Sequence, residues 1–154
     1  MKNMTKKRII LFALVISWMI LIFWFSSAGY EASSGQSMRA VHGITQATGV
    51  MLPEALVRKA AHVFLYFVLG VLLVCLVRTY ELRWFRAIAC STGAAFVYAI
   101  TDELHQLLVG GRSGQASDVL LDTIAAFAGA WAVFGCCKWA KKLLKNQKYD
   151  TIER

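Results

Sequence analysis

The sequence predicts an all-α, polytopic membrane protein: a bundle of four transmembrane helices with both termini in the cytoplasm. The 154 residues are 58% hydrophobic, and the apolar residues gather into four blocks instead of being spread around a soluble core. The blocks are residues 9–25, 60–77, 87–100 and 119–137. Three of them are long enough to cross about 30 Å of hydrocarbon. The third reaches that length only if it continues through the polar residues 102–106 to residue 109.

The distribution of charge predicts the orientation of this bundle. The N-terminus, the loop 78–86 and the C-terminus together hold 13 of the 17 Lys and Arg residues. If they share one side, the two sides carry about +10 and −2, and the positive-inside rule places the basic side in the cytoplasm. The net charge then reflects orientation and contact with anionic lipid, which argues against a nucleic-acid partner. We expect one membrane domain over residues 9–137, with cytoplasmic basic segments at 1–8 and 138–154.

The segments between the blocks give the remaining local predictions. Residues 1–28 could be a signal peptide, but the length of the apolar run and Trp24 favour a retained first helix. Residues 26–49, rich in Ser, Gly and Thr, are predicted to be an outer loop with a short amphipathic helix. Pro53 and Glu54 mark the start of the second helix, which should run to about Arg78. Ser117 is a candidate N-cap for the last helix, and the polar tail from residue 138 should be frayed.

Antiparallel helices bring the polar residues of three segments to one outer pole. The second helix contributes Arg58, Lys59, His62 and Tyr66; the third contributes Asp102, Glu103, His105 and Gln106; the loop and the fourth helix contribute Arg112, Ser113, Asp118 and Asp122. Charged groups at this depth are costly unless they are paired or hydrated, so they require an explanation. One explanation is a purely structural staple of ion pairs. The histidines, the amide and the glycine-flanked Arg112 and Ser113 favour a functional site.

Several chemistries remain open for this pole. His62 or His105, with Asp102 or Asp118, could act as a general base. Arg58, Lys59 and Arg112 could bind a phosphate or carboxylate. Ser113 could be a nucleophile, although it lacks a GxSxG frame. A divalent ion is a further alternative, with ligands from the set His62, Asp102, Glu103, His105 and Asp118.

Three motifs, in order, resemble those of the VanZ-like family. They are RKAAHVFLY at 58–66, DELHQ at 102–106, and GRSG at 111–114 with DVLLD at 118–122. The resemblance spans roughly residues 9–135, and Asp122 stands where members tend to have Asn. It implies a small multi-pass protein of the bacterial cytoplasmic membrane, linked to low-level resistance to teicoplanin-type glycopeptides. It does not imply a reaction, a cofactor or an oligomeric state.

Two hypotheses follow for function. In the first, the outward-facing pole is an enzyme site for a lipid or lipid-linked anionic substrate such as a cell-wall precursor. The expected catalytic residues are His62, Asp102, Glu103, His105 and Asp118, and the expected substrate-binding residues are Arg58, Lys59, Tyr66, Gln106, Arg112 and Ser113. In the second, the protein is a non-catalytic membrane scaffold that alters the display of cell-wall precursors or of the antibiotic. Transport is disfavoured because no discontinuous helix pair is evident.

Overall fold

A computed structural model describes residues 2–27, 30–108 and 115–152 of the chain, and within them the fold is all-α, as predicted. There are five helices: α1 (Lys2–Ser27), α2 (Tyr30–Thr48), α3 (Glu54–Arg78), α4 (Trp84–Leu108) and α5 (Ala116–Ile152). Arg112 and Ser113 lie outside the described residues. The described residues of the predicted site are therefore those on the helices.

Three of the helices are long and apolar enough to cross a membrane. The candidate spans are Asn3–Ser27, Glu54–Arg78 and Ala116–Asn146. They correspond to the first, second and fourth apolar blocks of the sequence. At 25 residues, α4 has a comparable length, but it ends in a polar segment that contains Asp102 and Glu103.

The long helices are arranged so that α1 and α4 end where α3 and α5 begin. At this end, Ser26 of α1 contacts Asp102 of α4 at 2.8 Å, and Lys59 of α3 pairs with Asp118 of α5 at 2.7 Å. We call this the polar end of the bundle.

Contacts at the opposite end show the same antiparallel order. The guanidinium of Arg8 donates to the carbonyl of Thr79 at 2.7 Å and lies 4.5 Å from the ring centroid of Tyr80. The rings of Trp84 in α4 and Phe134 in α5 are 5.3 Å apart. We call this the basic end, because the basic N-terminus, the α3–α4 connection and the lysine-rich part of α5 meet there.

Close approach of α3 and α5 forms the centre of the bundle. A Cβ atom on Gly70 would lie 2.0 Å from the Ala126 carbonyl oxygen, and one on Gly129 would lie 2.1 Å from the Phe67 carbonyl oxygen. Each helix thus presents a glycine to the backbone of the other. Small residues are favoured where membrane helices pack this closely, because van der Waals contact replaces the hydrophobic driving force available in water.

Two side-chain hydrogen bonds attach α1 to this pair and to α4. The indole N–H of Trp18 donates to the carbonyl of Leu65 at 2.9 Å, and the hydroxyl of Tyr98 donates to the carbonyl of Met19 at 2.6 Å. Val15 and Ile22 fill the interface and are buried. The first apolar block is therefore an integral part of the packed bundle.

The start of α3 is confirmed. In residues 26–49 the predicted amphipathic helix is present, but it is longer than predicted. The carbonyl of Pro53 accepts from the backbone N–H of Leu56 at 3.0 Å, and Glu54 occupies the first turn. Most of the predicted outer loop is the 19-residue helix α2, whose Val41 is buried. The Ser, Gly and Thr content predicted a loop, but this segment contains no proline to interrupt a helix.

The limits of α5 also differ from prediction. Ser117 lies within the helix, and the backbone N–H of Asp118 bonds to the carbonyl of Gln115 at 2.8 Å. The cap therefore precedes Ser117, and the predicted N-cap is wrong. The polar tail is helical to Ile152 rather than frayed. Good helix formers such as Ala, Leu, Lys and Gln dominate it, which explains the continuation.

Candidate functional site

Four polar side chains from three helices meet inside the polar end, and we call them the inner cluster: His62 and Tyr66 of α3, Asp102 of α4 and Asp122 of α5. Nδ1 of His62 is 3.5 Å from Oδ2 of Asp122. The rings of His62 and Tyr66 are stacked, with centroids 6.5 Å apart. Tyr66, Asp102 and Asp122 are only 0%, 3% and 5% exposed. The spacing of four residues in α3 places His62 and Tyr66 on one helix face.

Neutral groups support one oxygen of Asp102. The hydroxyl of Ser26 donates to Oδ2 at 2.8 Å, and the amide of Gln106 donates to the same atom at 3.1 Å. The Gln106 amide also donates to the Ser26 hydroxyl at 2.9 Å. These contacts fix the rotamer of the carboxylate without placing a cation on it.

Within the described part of the chain, three buried oxygen atoms of the inner cluster have no hydrogen-bond partner. They are Oδ1 of Asp102, Oδ1 of Asp122 and the hydroxyl of Tyr66. Leaving a buried carboxylate oxygen unsatisfied is costly, so such atoms are uncommon in folded proteins and mark sites that require an explanation.

The remaining charged residues form a separate rim closer to the surface. Arg58 pairs with Glu54 one turn earlier in α3, and Lys59 pairs with Asp118 at 2.7 Å. Lys59 and Asp118 are 45% and 32% exposed, so this pair lies in a more hydrated setting than the inner cluster. The carboxylate of Glu103 accepts from the backbone N–H of Gln115, which ties α4 to the start of α5.

His105 lies apart from both groups, against α1. Its ring stacks on Phe23 with centroids 4.4 Å apart, and its Nε2 is 3.0 Å from the hydroxyl of Ser27. That hydroxyl also donates to the carbonyl of Phe23 at 2.6 Å. Because its proton is engaged with the backbone, the Ser27 hydroxyl acts as the acceptor from His105.

The structure thus divides the residues that the sequence placed at one pole. It brings together His62, Tyr66, Asp102 and Gln106. It places Arg58, Lys59, Glu103 and Asp118 in the rim, and His105 beside Ser27. The family resemblance extends to residues 23–27 at the end of the first helix, but sequence reasoning assigned Ser26 and Ser27 no role in the site, because hydroxyls at the end of an apolar helix are common. Asp122 was placed at the pole but not in the expected catalytic set.

The comparisons with known proteins place these residues in a family. The sequence profile described as VanZ/LLP1 matches residues 11–138. The chain belongs to the VanZ/LLP1 family. The match confirms the resemblance seen in the three motifs and includes every residue of the inner cluster. With three apolar helices, it identifies a VanZ-like membrane protein. Searches of curated proteins and of solved structures each gave no significant match.

In this VanZ/LLP1 protein, the inner cluster can support two kinds of chemistry. The His62 imidazole beside Asp122 can accept and return a proton, since the carboxylate contact orients the ring. The same groups can also bind a cation. His62, Asp102 and Asp122 each offer one ligand atom, and these atoms all lie within 4.8 Å of one another.

Proposed function

We propose that this VanZ/LLP1 protein is a bacterial cell-envelope protein whose polar end faces outward and acts on a lipid-linked anionic substrate. Its physiological output would be a change in the envelope that lowers susceptibility to teicoplanin-type glycopeptides. The observation that carries this proposal is the inner cluster: three helices place a histidine, a tyrosine and two aspartates together, and three of its oxygens have no hydrogen-bond partner in residues 2–27, 30–108 and 115–152. In a purely structural set of ion pairs, each buried polar group would have a hydrogen-bond partner within the set.

The placement of the cluster supports a substrate that resides in the membrane. We propose that α4 is the fourth span, since its 25 residues measure about 37 Å and it packs against both α3 and α5. Asp102 and Gln106 then lie near the outer hydrocarbon boundary, where a lipid head group is presented. The lysines and arginines of the basic end would face the cytoplasm.

An apolar groove between α4 and α5 supports a lipid tail in the substrate. Its volume is about 420 Å³, and its lining includes Phe96, Phe127 and Trp131. Thr123, the residue after Asp122, also lines the groove. An acyl or isoprenoid chain lying in this groove would have its head group at the inner cluster.

The roles of the residues follow from this placement. His62 would transfer a proton at the head group, with Asp122 orienting its ring. Asp102 would be held in position by Ser26 and Gln106. Lys59 and Arg58, which form ion pairs in the rim, would exchange those partners for the anionic group of the substrate.

The test compares membrane lipids and teicoplanin susceptibility in a sensitive Gram-positive host that produces the protein. We expect production to change one lipid or lipid-linked species, detected by mass spectrometry of extracts, and to raise the inhibitory concentration of teicoplanin. His62→Gln, Asp102→Asn and Asp122→Asn should each abolish both effects at unchanged membrane abundance. Glu81→Gln, an acid-to-amide change in an exposed residue at the basic end, is the matched control. An unchanged lipid profile in the producing strain would overturn the enzymatic proposal.

A second candidate function is a non-catalytic scaffold that alters how precursors or antibiotic are displayed. The ion pairs of the rim favour it, because Lys59 with Asp118 joins the starts of α3 and α5, and Arg58 with Glu54 braces the first turns of α3, as a structural device would. The scaffold predicts partial losses of resistance that track membrane abundance across all variants. The enzyme predicts complete loss in the inner-cluster variants at normal abundance.

A further inference from the structure

We infer that His62, Asp102 and Asp122 bind a single divalent transition-metal ion, with the Tyr66 hydroxyl beside it. This assignment concerns the chemistry of the inner cluster itself. Its consequence for substrate binding rests on the proposed function, but the metal binding does not.

The separations of the three ligand atoms fit one ion. Two ligands bound at about 2.1 Å are about 3.4 Å apart in tetrahedral coordination and at most about 4.2 Å apart in any geometry. Nδ1 of His62 and Oδ2 of Asp122 are already 3.5 Å apart. All three ligand atoms lie within 4.8 Å of one another, so closure requires movement of less than about 1 Å.

The unsatisfied oxygens provide an independent reason for a ligand. Among the residues that the structure describes, Asp102 Oδ1, Asp122 Oδ1 and the Tyr66 hydroxyl are buried and have no partner at hydrogen-bond distance and angle. The Tyr66 hydroxyl lies near both carboxylates and interacts more strongly with that of Asp102, and one oxygen of each carboxylate lies within 4.8 Å of the other. A cation there would satisfy both carboxylates at once, and the neutral tyrosine oxygen could be a weak fourth ligand or donate to a metal-bound water.

The balance of charge leads to the same conclusion. Two carboxylates at least 95% buried face one imidazole, whereas the neighbouring cations Arg58 and Lys59 are in ion pairs with Glu54 and Asp118. Buried charge is stabilised only when it is matched and hydrogen-bonded. A divalent ion neutralises both aspartates and binds His62 in its neutral form, which is the form that ligates metals. With the ion bound, His62 and Asp122 hold the metal, in place of the proton transfer described above.

The ligand types select the class of ion. One imidazole nitrogen with two carboxylate oxygens suits Mn²⁺, Fe²⁺ or Zn²⁺ better than Ca²⁺, which takes oxygen ligands only. The hydrogen bonds from Ser26 and Gln106 to Asp102 correspond to the outer shell that orients ligands in metalloproteins.

This ion would resolve a difficulty in the proposed function. Two buried carboxylates repel an anionic head group, so the inner cluster alone disfavours the substrate. A divalent ion held by the aspartates reverses the local charge and offers an open coordination position to a phosphate or carboxylate oxygen. The substrate class is therefore a lipid whose head group carries a metal-coordinating oxyanion.

Metal binding by the purified full-length protein in detergent tests the inference. After removal of metals with EDTA and dialysis, the protein is titrated with Mn²⁺, Zn²⁺ and Mg²⁺, followed by calorimetry and by thermal unfolding. Bound metal is then counted by mass spectrometry after gel filtration. We expect one Mn²⁺ or Zn²⁺ per chain, a rise of the melting temperature with either ion, and a much smaller effect of Mg²⁺. The melting temperature should rise because the ion binds only the folded protein, in which its ligands on α3, α4 and α5 lie together.

Asn and Gln substitutions locate the site. Asp102→Asn, Asp122→Asn and His62→Gln should weaken binding by at least about 100-fold, beyond the 10–100-fold typical of outer-shell losses. Asp118→Asn and Glu103→Gln remove acids of the rim and should retain one bound ion. The melting temperature in EDTA reports whether each variant folds. If one ligand variant does not fold, the other ligand variants and the wild-type titration still decide.

Two results would overturn the inference: wild-type protein that neither retains nor is stabilised by Mn²⁺ or Zn²⁺, or rim variants that lose metal as completely as Asp122→Asn. The outcome is separable from that of the proposed function. A protein that binds one ion but leaves lipids unchanged retains the metal site and loses the lipid chemistry. A changed lipid profile without metal binding would support the lipid chemistry and overturn the metal site.

Discussion

At the scale of single residues, Asp102 shows how the bundle accommodates a buried carboxylate. Its supported oxygen receives hydrogen bonds from a hydroxyl and an amide, and no Lys or Arg pairs with it among the described residues. The surface acids behave differently, since Asp118 and Glu54 each lie against a side-chain cation. Uncharged support costs less desolvation than an ion pair would, and it leaves the second oxygen available.

We predict that Ser26→Ala destabilises the protein, because the mutation removes one of the two donors to Asp102 Oδ2 in a buried site. The free energy of unfolding of metal-stripped protein should fall by about 1–3 kcal/mol. Ser27→Ala is the control, since Ser27 is less buried and its donor bond is to its own helix; it should cost less than about 1 kcal/mol. Reversible unfolding in detergent measures both. Equal losses in the two variants would contradict this account of Ser26.

A second prediction concerns Glu81 in the α3–α4 connection. Its φ of 61° lies in the left-handed region, which costs a side chain with a Cβ atom about 1–2 kcal/mol relative to glycine. Glu81→Gly removes this strain, but glycine also gives the unfolded chain more conformational freedom, which offsets part of the gain. The free energy of unfolding should therefore rise by about 1 kcal/mol. Glu81→Ala removes the same charge but keeps the strained backbone, and should change stability little. A gain in both variants would assign the effect to charge instead.

At the scale of elements, the contact between α3 and α5 is the least adjustable part of the bundle. Both close approaches place a Cβ position against backbone, at Ala126 for Gly70 and at Phe67 for Gly129. A backbone carbonyl cannot move aside as the end of a side chain can. The distance between these two helices, and hence between His62 and Asp122 on them, is set by two glycines.

We predict that Gly70→Ala and Gly129→Ala separate the two helices and destabilise the protein by about 3 kcal/mol or more. The yield of folded protein in detergent and the unfolding midpoint measure the effect. Gly135→Ala in α5 and Gly93→Ala in α4 are matched controls, because a Cβ atom at either position meets nothing within 4 Å. Both controls should be neutral or slightly stabilising, because alanine is the better helix former. Destabilisation by the controls to the same degree would mean that helix packing is not the cause.

The elements also show how far the sequence alone could predict the structure. The apolar blocks identified the four helices that form the bundle, since hydropathy reports burial in lipid or protein directly. Topology then predicted that His62, Asp102 and Asp122 lie at the same end. The sequence could not separate the rim from the inner cluster, because that division depends on helix rotation about the Gly70 and Gly129 contacts. It also could not identify Ser26, whose role exists only through its partner 76 residues away.

At the scale of the whole molecule, the antiparallel bundle places its polar side chains and its basic side chains at opposite ends. The polar end holds acids, histidines and hydroxyls. The basic end holds Arg8 against Thr79 and Tyr80, and Arg78 against Trp84. Interfacial arginines and aromatic residues of this kind anchor helices at a membrane surface.

We predict that the two ends lie on opposite sides of the cytoplasmic membrane. In protein whose four cysteines (Cys75, Cys90, Cys136 and Cys137) are replaced by serine, Ala55→Cys should react with a membrane-impermeant maleimide in intact cells. Lys142→Cys should react only after permeabilisation, since both positions are exposed and differ only in their end of the bundle. Labelling of Lys142→Cys in intact cells would contradict this prediction and show the opposite orientation, with the inner cluster on the cytoplasmic side.

The uninterrupted length of α5 gives the inner cluster a fixed depth. No charged residue separates Asp122 from Lys138, sixteen residues further along the same helix, a rise of about 24 Å. In the orientation proposed above, with Lys138 at the inner head groups of a bilayer about 30 Å thick, Asp122 would lie about 6 Å below the outer boundary. The helix fixes the distance between Lys138 and Asp122. In a thicker bilayer, the same anchor would hold the aspartate deeper, away from water and from any head group it must reach. Bilayer thickness thus becomes a determinant of how accessible these carboxylates are.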